Sequence, residues 1–165
     1  MVLSDEVGNT LSVKKKLIPE YATSDDLPGI RLPNRSFPRI VTVLPGVEQH
    51  KIILARETAL LNAGGSVMMP YAKYASPIEI CGKGGTFSED CLRTVPPREQ
   101  RGNLDIRYLQ AGVTISLPCE LPGCGLAIGD VRCIQGDGEA SGTALEMDAT
   151  VVVTKEILKD GPKIG

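Results

Sequence analysis

A chain of 165 residues with a formal net charge of −2 is long enough for one domain with one real core, and it lacks the basic excess that a phosphate backbone demands. No nucleic-acid partner is expected, and no apolar run approaches the roughly 20 residues of a membrane-spanning helix. Aromatic residues are scarce at 4%, with no Trp, while 18 glycines and 12 prolines imply many turns between short elements. The aliphatic stock is rich in β-branched residues, which suit an interior built from sheets.

Residues 1–36 read as an extended arm. Lys14-Lys15-Lys16 is a solvated charge run, Asp25 to Gly29 forms a turn, and Pro33 with Pro38 keeps the following chain extended. A segment with so little apolar content is expected to lie along another surface. Residues 37–165 read as one β-rich domain. Ile40 to Leu44 is an expected strand stopped by Pro45-Gly46, followed by His50 and a second strand over Lys51 to Leu54. Arg56 to Ala63 suits a short helix ended by Gly64-Gly65. Val67 to Met69 and Ile78 to Cys81 read as further strands with prolines at their edges. Ser88 to Gln100 is a polar loop, and Val113 to Leu117, Gly125 to Ile128 and Ala149 to Lys155 carry strand patterns. The expected fold is mainly β, a sandwich or closed sheet with long loops.

Several glycine-rich stretches fail as nucleotide or calcium motifs. Lys83 is followed by Gly84 where a phosphate loop needs Ser or Thr, and Gly123, Gly125 and Gly129 have the wrong spacing for a dinucleotide fingerprint. The acids at the start of a calcium loop are missing from Gln135 to Glu139. The cysteines at 81, 91, 119, 124 and 133 show no C-x-x-C pair. Without a charged-then-apolar leader at the N-terminus, a cytoplasmic location with five reduced thiols is the expectation. His50 is the only histidine available as a base to a nucleophilic cysteine, and a turn position suits it better than a catalytic one.

The stretch from Gly129 to Asp148 is different in kind. Asp130, Asp137, Glu139, Glu146 and Asp148 face a single base, Arg132. On an extended chain Asp130 shares a face with Arg132, and Asp137 with Glu139. Crowded carboxylates repel unless a cation or shared protons relieve them. A solvated acidic turn is the plain alternative.

Gln135-Gly136-Asp137-Gly138-Glu139, the ending Gly142-x-Ala144-x-Glu146, and Gly129-Asp130 ahead of both resemble the acetamidase/formamidase family of amide hydrolases. Arg101-Gly102-Asn103-Leu104-Asp105-Ile106 is similar to that family's G-G-N-x-D-I segment. Leu109, Gly112 and Leu117-Pro118 fall along the strand that follows it in the family. The resemblance runs from Thr94 to Gly161 and more faintly from Pro38 to Ser88. The family's first motif reads G-D-x-H-x-x-Q-G-D-G-E, with Arg132 at the imidazole position here, and Arg101 stands for the first glycine of G-G-N. Family members are considerably longer, so the chain reads as the middle of such an enzyme, truncated at both ends.

The resemblance implies a small non-peptide amide as substrate and a site built from Asp130, Arg132, Gln135, Asp137 and Glu139, supported by Asn103, Asp105 and Glu146. Amide hydrolysis needs an activated water, a polarised oxygen and a protonated leaving nitrogen. If a metal binds, Asp130, Asp137 and Glu139 would hold it. Zinc follows from the resemblance, and magnesium, calcium or manganese from oxygen ligands alone. Arginine cannot ligate a metal but pairs with carboxylates, so Arg132 can stand in for the cation. The expected partner is a second subunit carrying the absent family segments, or further copies of the chain. The alternative is a non-catalytic relative keeping the fold, in which Arg132 pairs with Asp130 or Asp137. Removing charge by Asp137→Asn or Glu139→Gln is expected to abolish activity while relieving repulsion.

Overall fold

The computed structural model describes residues 2–4, 10–12, 16–17, 20–66, 77–139 and 142–159. The chain forms two compact units, the first from Met1–Ile40, Asp105–Ser116 and Ile128–Gly165, the second from Val41–Leu104 and Leu117–Ala127. The architecture is mainly β, with antiparallel registers throughout the arm. There β1 (Val2–Ser4) pairs with β2 (Thr10–Ser12), and β3 (Lys16–Leu17) pairs with β4 (Tyr21–Thr23), which pairs with β5 (Leu32–Pro33).

The rest of unit 1 is organised on β6 (Phe37–Thr42), which neighbours β8 (Ala127–Ile134), with β9 (Leu145–Glu146) beyond it. Ala22 of the arm packs with Cys133 and Leu145, and Leu32, Ile134 and Met147 close around them. β4 and β5 therefore take part in the core of unit 1 through Ala22 and Leu32.

Unit 2 holds α1 (Val47–Asn62), α2 (Ile78–Cys81) and β7 (Arg101–Asn103). The strand expected at Lys51 to Leu54 is instead the interior of α1. Gly46 caps the helix, its N–H held by the Glu120 carboxylate at 2.6 Å, and Ile53 is the residue it buries. Helix formers from Ala55 onward extend the same spiral, so the isolated β-branched pair Ile52-Ile53 does not break it. The end falls as expected. Gly64 N–H bonds Leu61 O, Gly65 N–H bonds Leu60 O, and Gly64 adopts φ 79°, a left-handed turn that glycine takes at no steric cost.

The strand expected at Ile78 to Cys81 is the short α2, whose first turn closes on Pro77 O. The strand patterns at Val113 to Leu117 and Ala149 to Lys155 also give no ladder among the described residues. Alternating apolar residues make a strand only when a neighbouring backbone is there to pair with, and Val152 stays 91% exposed. The expected strand at Gly125 to Ile128 begins later, as β8, and Val67 to Met69 lies outside the described residues.

The cysteines correct a further expectation. Cys81 is bonded to Cys91 and Cys119 to Cys124, with Cα separations of 5.5 and 4.9 Å, both ordinary for a disulfide. Cys133 joins neither bridge and is fully buried. Spacing of 10 and 5 residues lets tight turns bring the paired thiols together without a C-x-x-C motif.

Unit 2 also buries an ion network. Glu57 on α1 accepts from Arg93 Nη2 at 2.7 Å and from Arg98 Nε at 3.0 Å, and both arginine side chains are 2% exposed. Arg98 Nη1 further donates to Arg93 O. This staples residues 93–98 to α1 and leads the chain into β7. At Gly102 a Cβ would lie 2.7 Å from Thr94 O, so no side chain fits. No helix among the described residues is long and apolar enough to cross a membrane.

Candidate functional site

The acid-rich stretch lies in unit 1, where three strands and two loops deliver its charges. β8 carries Asp130 and Arg132, and β9 sets Glu146 directly opposite Arg132, with a bulge just after it. Opposite charges facing across a strand pair stabilise the pairing. The loop leaving β8 carries Gln135, Asp137 and Glu139, β6 contributes Arg39, and Asp105 opens the segment Asp105–Ser116. Asp105 and Asp130 have φ of 51° and 52°, a left-handed conformation that aspartate tolerates better than most residues.

Two guanidiniums organise these acids. Arg132 is wholly buried, with Nη1 3.0 Å from Asp130 Oδ1, Nη2 3.0 Å from Glu139 Oε1, and a third ion pair to Glu146. Arg39 reaches Asp105 Oδ1 at 2.8 Å, Asp130 Oδ2 at 3.5 Å and Glu139 Oε2 at 3.1 Å. Asp130 and Glu139 therefore each offer one oxygen to each arginine. Glu139 is 9% exposed, so Glu139→Gln would remove a buried charge from two arginines, which reverses the expected relief of repulsion.

Asp137 stands apart from this ring. It is 76% exposed and pairs with Arg107 Nε at 3.0 Å. Arg107 donates from Nη2 to the Tyr108 hydroxyl at 3.0 Å and lies over that ring, 5.0 Å from its centre. The hydrogen bond to Tyr108, with Asp137 adding its charge, holds the Arg107 pKa above its usual value. Gln135 is buried and donates to Asp105 O at 3.5 Å, tying the loop to the Asp105 segment, and Thr143 Oγ1 donates to Glu146. Asn103 is buried on β7 in unit 2, and His50 lies on α1 there, its ring bonded to Asp90 O at 2.7 Å.

The donor set does not fit a divalent metal. Of the three expected ligands, Asp130 and Glu139 have both oxygens on guanidiniums, and Asp137 is engaged by Arg107. Among the described residues no three His, Cys, Asp or Glu side chains are grouped to hold an ion. Arg39 and Arg107 escape a reading of motifs because each is a lone arginine outside the acidic stretch. The unrelieved charge of that stretch was the signal that partners must come from elsewhere.

The profile of the Acetamidase/Formamidase family matches residues 2–164, a longer span than the motifs alone indicate. Formamidase of Methylophilus methylotrophus is 31% identical over 152 residues, covering 87% of this chain and 37% of that protein. Acetamidase of Mycolicibacterium smegmatis is 32% identical over 151 residues, covering 86% and 37%. Among solved structures, the gamma lactamase from Delftia acidovorans superposes with a TM-score of 0.71 at 28% identity, over 86% of this chain and 36% of that one. The chain spans little more than a third of the length of the curated relatives it matches.

Proposed function

The chain belongs to the acetamidase/formamidase family, and we propose that it acts as an amide hydrolase on the C–N bond of a small non-peptide amide, as one part of a larger assembly. The observation carrying this reading is Asp137, the most exposed of the five clustered carboxylates that pair with arginine, held by Arg107 within an unbroken Gln135–Glu139 motif. In the reaction, water adds to the carbonyl carbon while Asp137 takes one of its protons. Arg107 donates to the oxygen on which negative charge grows. The proton on Asp137 then passes to nitrogen as the C–N bond breaks, giving the acid and the free amine. The ring of Arg39, Arg132, Asp130 and Glu139 holds the loop that presents Asp137.

A second polypeptide or further copies of the chain would cover residues such as Val151 to Val153, Ile157 and Leu158 that stand exposed. A cytoplasmic location belongs to the same proposal. Fractionation of the native source that places the chain in an oxidising compartment overturns that location. One observation favours a second reading, a non-catalytic relative: the Arg132–Asp130 pair is the arrangement expected of it. Assay of the assembled protein with formamide, acetamide and a small lactam separates the two. Release of ammonia or ring-opened amine, lost in Asp137→Asn, supports the hydrolase. No release from any substrate, or an Asp137→Asn variant as active as the parent, sinks it.

A further inference from the structure

Asp130 and Glu139 each bridge Arg39 and Arg132 through their two separate oxygens, so the four side chains close a ring without net charge. Asp105 on Arg39 and Glu146 on Arg132 extend the ring outward. A guanidinium stays charged at any ordinary pH and offers no lone pair to a metal. A divalent cation at these oxygens would have to displace a wholly buried arginine or sit beside two positive charges. Either course opposes binding.

We infer that Arg39 and Arg132 are the resident cation of unit 1. The guanidinium pair neutralises Asp130 and Glu139 in the role a divalent metal would take, so the cluster is complete without one. Replacing Arg132 with a neutral imidazole removes the competing charge and frees carboxylate oxygens beside a nitrogen ligand, which opens a divalent-cation site. This rests on reading the cluster as the amidase site. Its test reads ion binding and melting, not turnover, so the two can fail separately.

The full chain is stripped with chelator, then titrated with zinc chloride and, separately, manganese chloride, following heat of binding and melting temperature. For the wild-type protein no uptake sensitive to Asp130→Asn is expected, and chelator leaves the melting temperature unchanged. Arg132→His should take up about one equivalent of zinc at least tenfold more tightly than the wild type and melt higher with zinc than without. If that variant fails to fold, Arg39→His, at the less buried guanidinium, makes the same test. Zinc uptake by the wild type that Asp130→Asn abolishes overturns the inference. So does a folded histidine variant that gains no zinc.

Discussion

Units 1 and 2 each hold two arginines against carboxylates, but in opposite proportion. In unit 2, Arg93 and Arg98 converge on the single carboxylate of Glu57, with a backbone carbonyl taking part of the load. In unit 1, Arg39 and Arg132 are shared among Asp105, Asp130, Glu139 and Glu146. A hub with one acid is a staple, and everything depends on that acid. A ring whose two arginines are shared among four acids spreads the load, and the loop it holds presents Asp137. The contrast separates a stabilising network from a candidate site with no appeal to sequence.

Glu57→Ala tests the contrast most severely. It removes the carboxylate shared by two buried guanidiniums and should cost about 3–5 kcal/mol in a urea unfolding experiment. A cost below about 1 kcal/mol would mean that unit 2 does not rely on its hub. Glu139→Gln should cost less, about 1–3 kcal/mol, because Asp130 still bridges the same two arginines. A loss as large as that of Glu57→Ala would show that the ring behaves as a hub after all. Asp137→Asn should leave the melting temperature unchanged while hydrolysis is lost, since its partner Arg107 stays in water.

The smallest effect concerns Arg56 and Glu99, a half-exposed pair in unit 2. The hydrogen bond from Arg56 holds the Glu99 carboxyl down at about 2, against 4.5 for the unperturbed group. A depressed carboxyl pKa contributes stability above the unfolded value and loses it as pH falls through the folded one. Glu99→Gln should therefore melt slightly below the wild type at neutral pH, and the gap should close between 4.5 and about 2. A gap that persists into acid would assign the effect to packing.

Much of the acidic cluster is legible in the sequence. Asp130, Arg132 and Glu139 could be read as a cluster needing neutralisation because charge density shows directly in the sequence. Arg39 could not be, since a lone arginine within a strand carries no sign of where its guanidinium reaches. The mainly β class was legible from composition, whereas individual strands were less so. Ile52 and Ile53 suit either a strand or a helix, and the cap at Gly46 decided it from outside the window, through Glu120. Residues 113–117 and 149–155 carry strand patterns that state a preference, and only a neighbouring backbone can satisfy it. The disulfides were hidden because pairing depends on turns and not on spacing motifs alone.

The bridging role of Arg39 also has a consequence for synthesis. Arg39 and Glu139 are a hundred residues apart in sequence, while Glu57 lies 36 and 41 residues from its arginines. At roughly 5–20 residues per second, a ribosome delivers Glu139 some 5–20 s after Arg39. Through that interval the first guanidinium of the ring rides on a growing chain before its last acid exists, and the staple of unit 2 can form while it waits. Conditions that slow translation late in the message would lengthen the life of this half-built ring, and would do so in unit 1 alone.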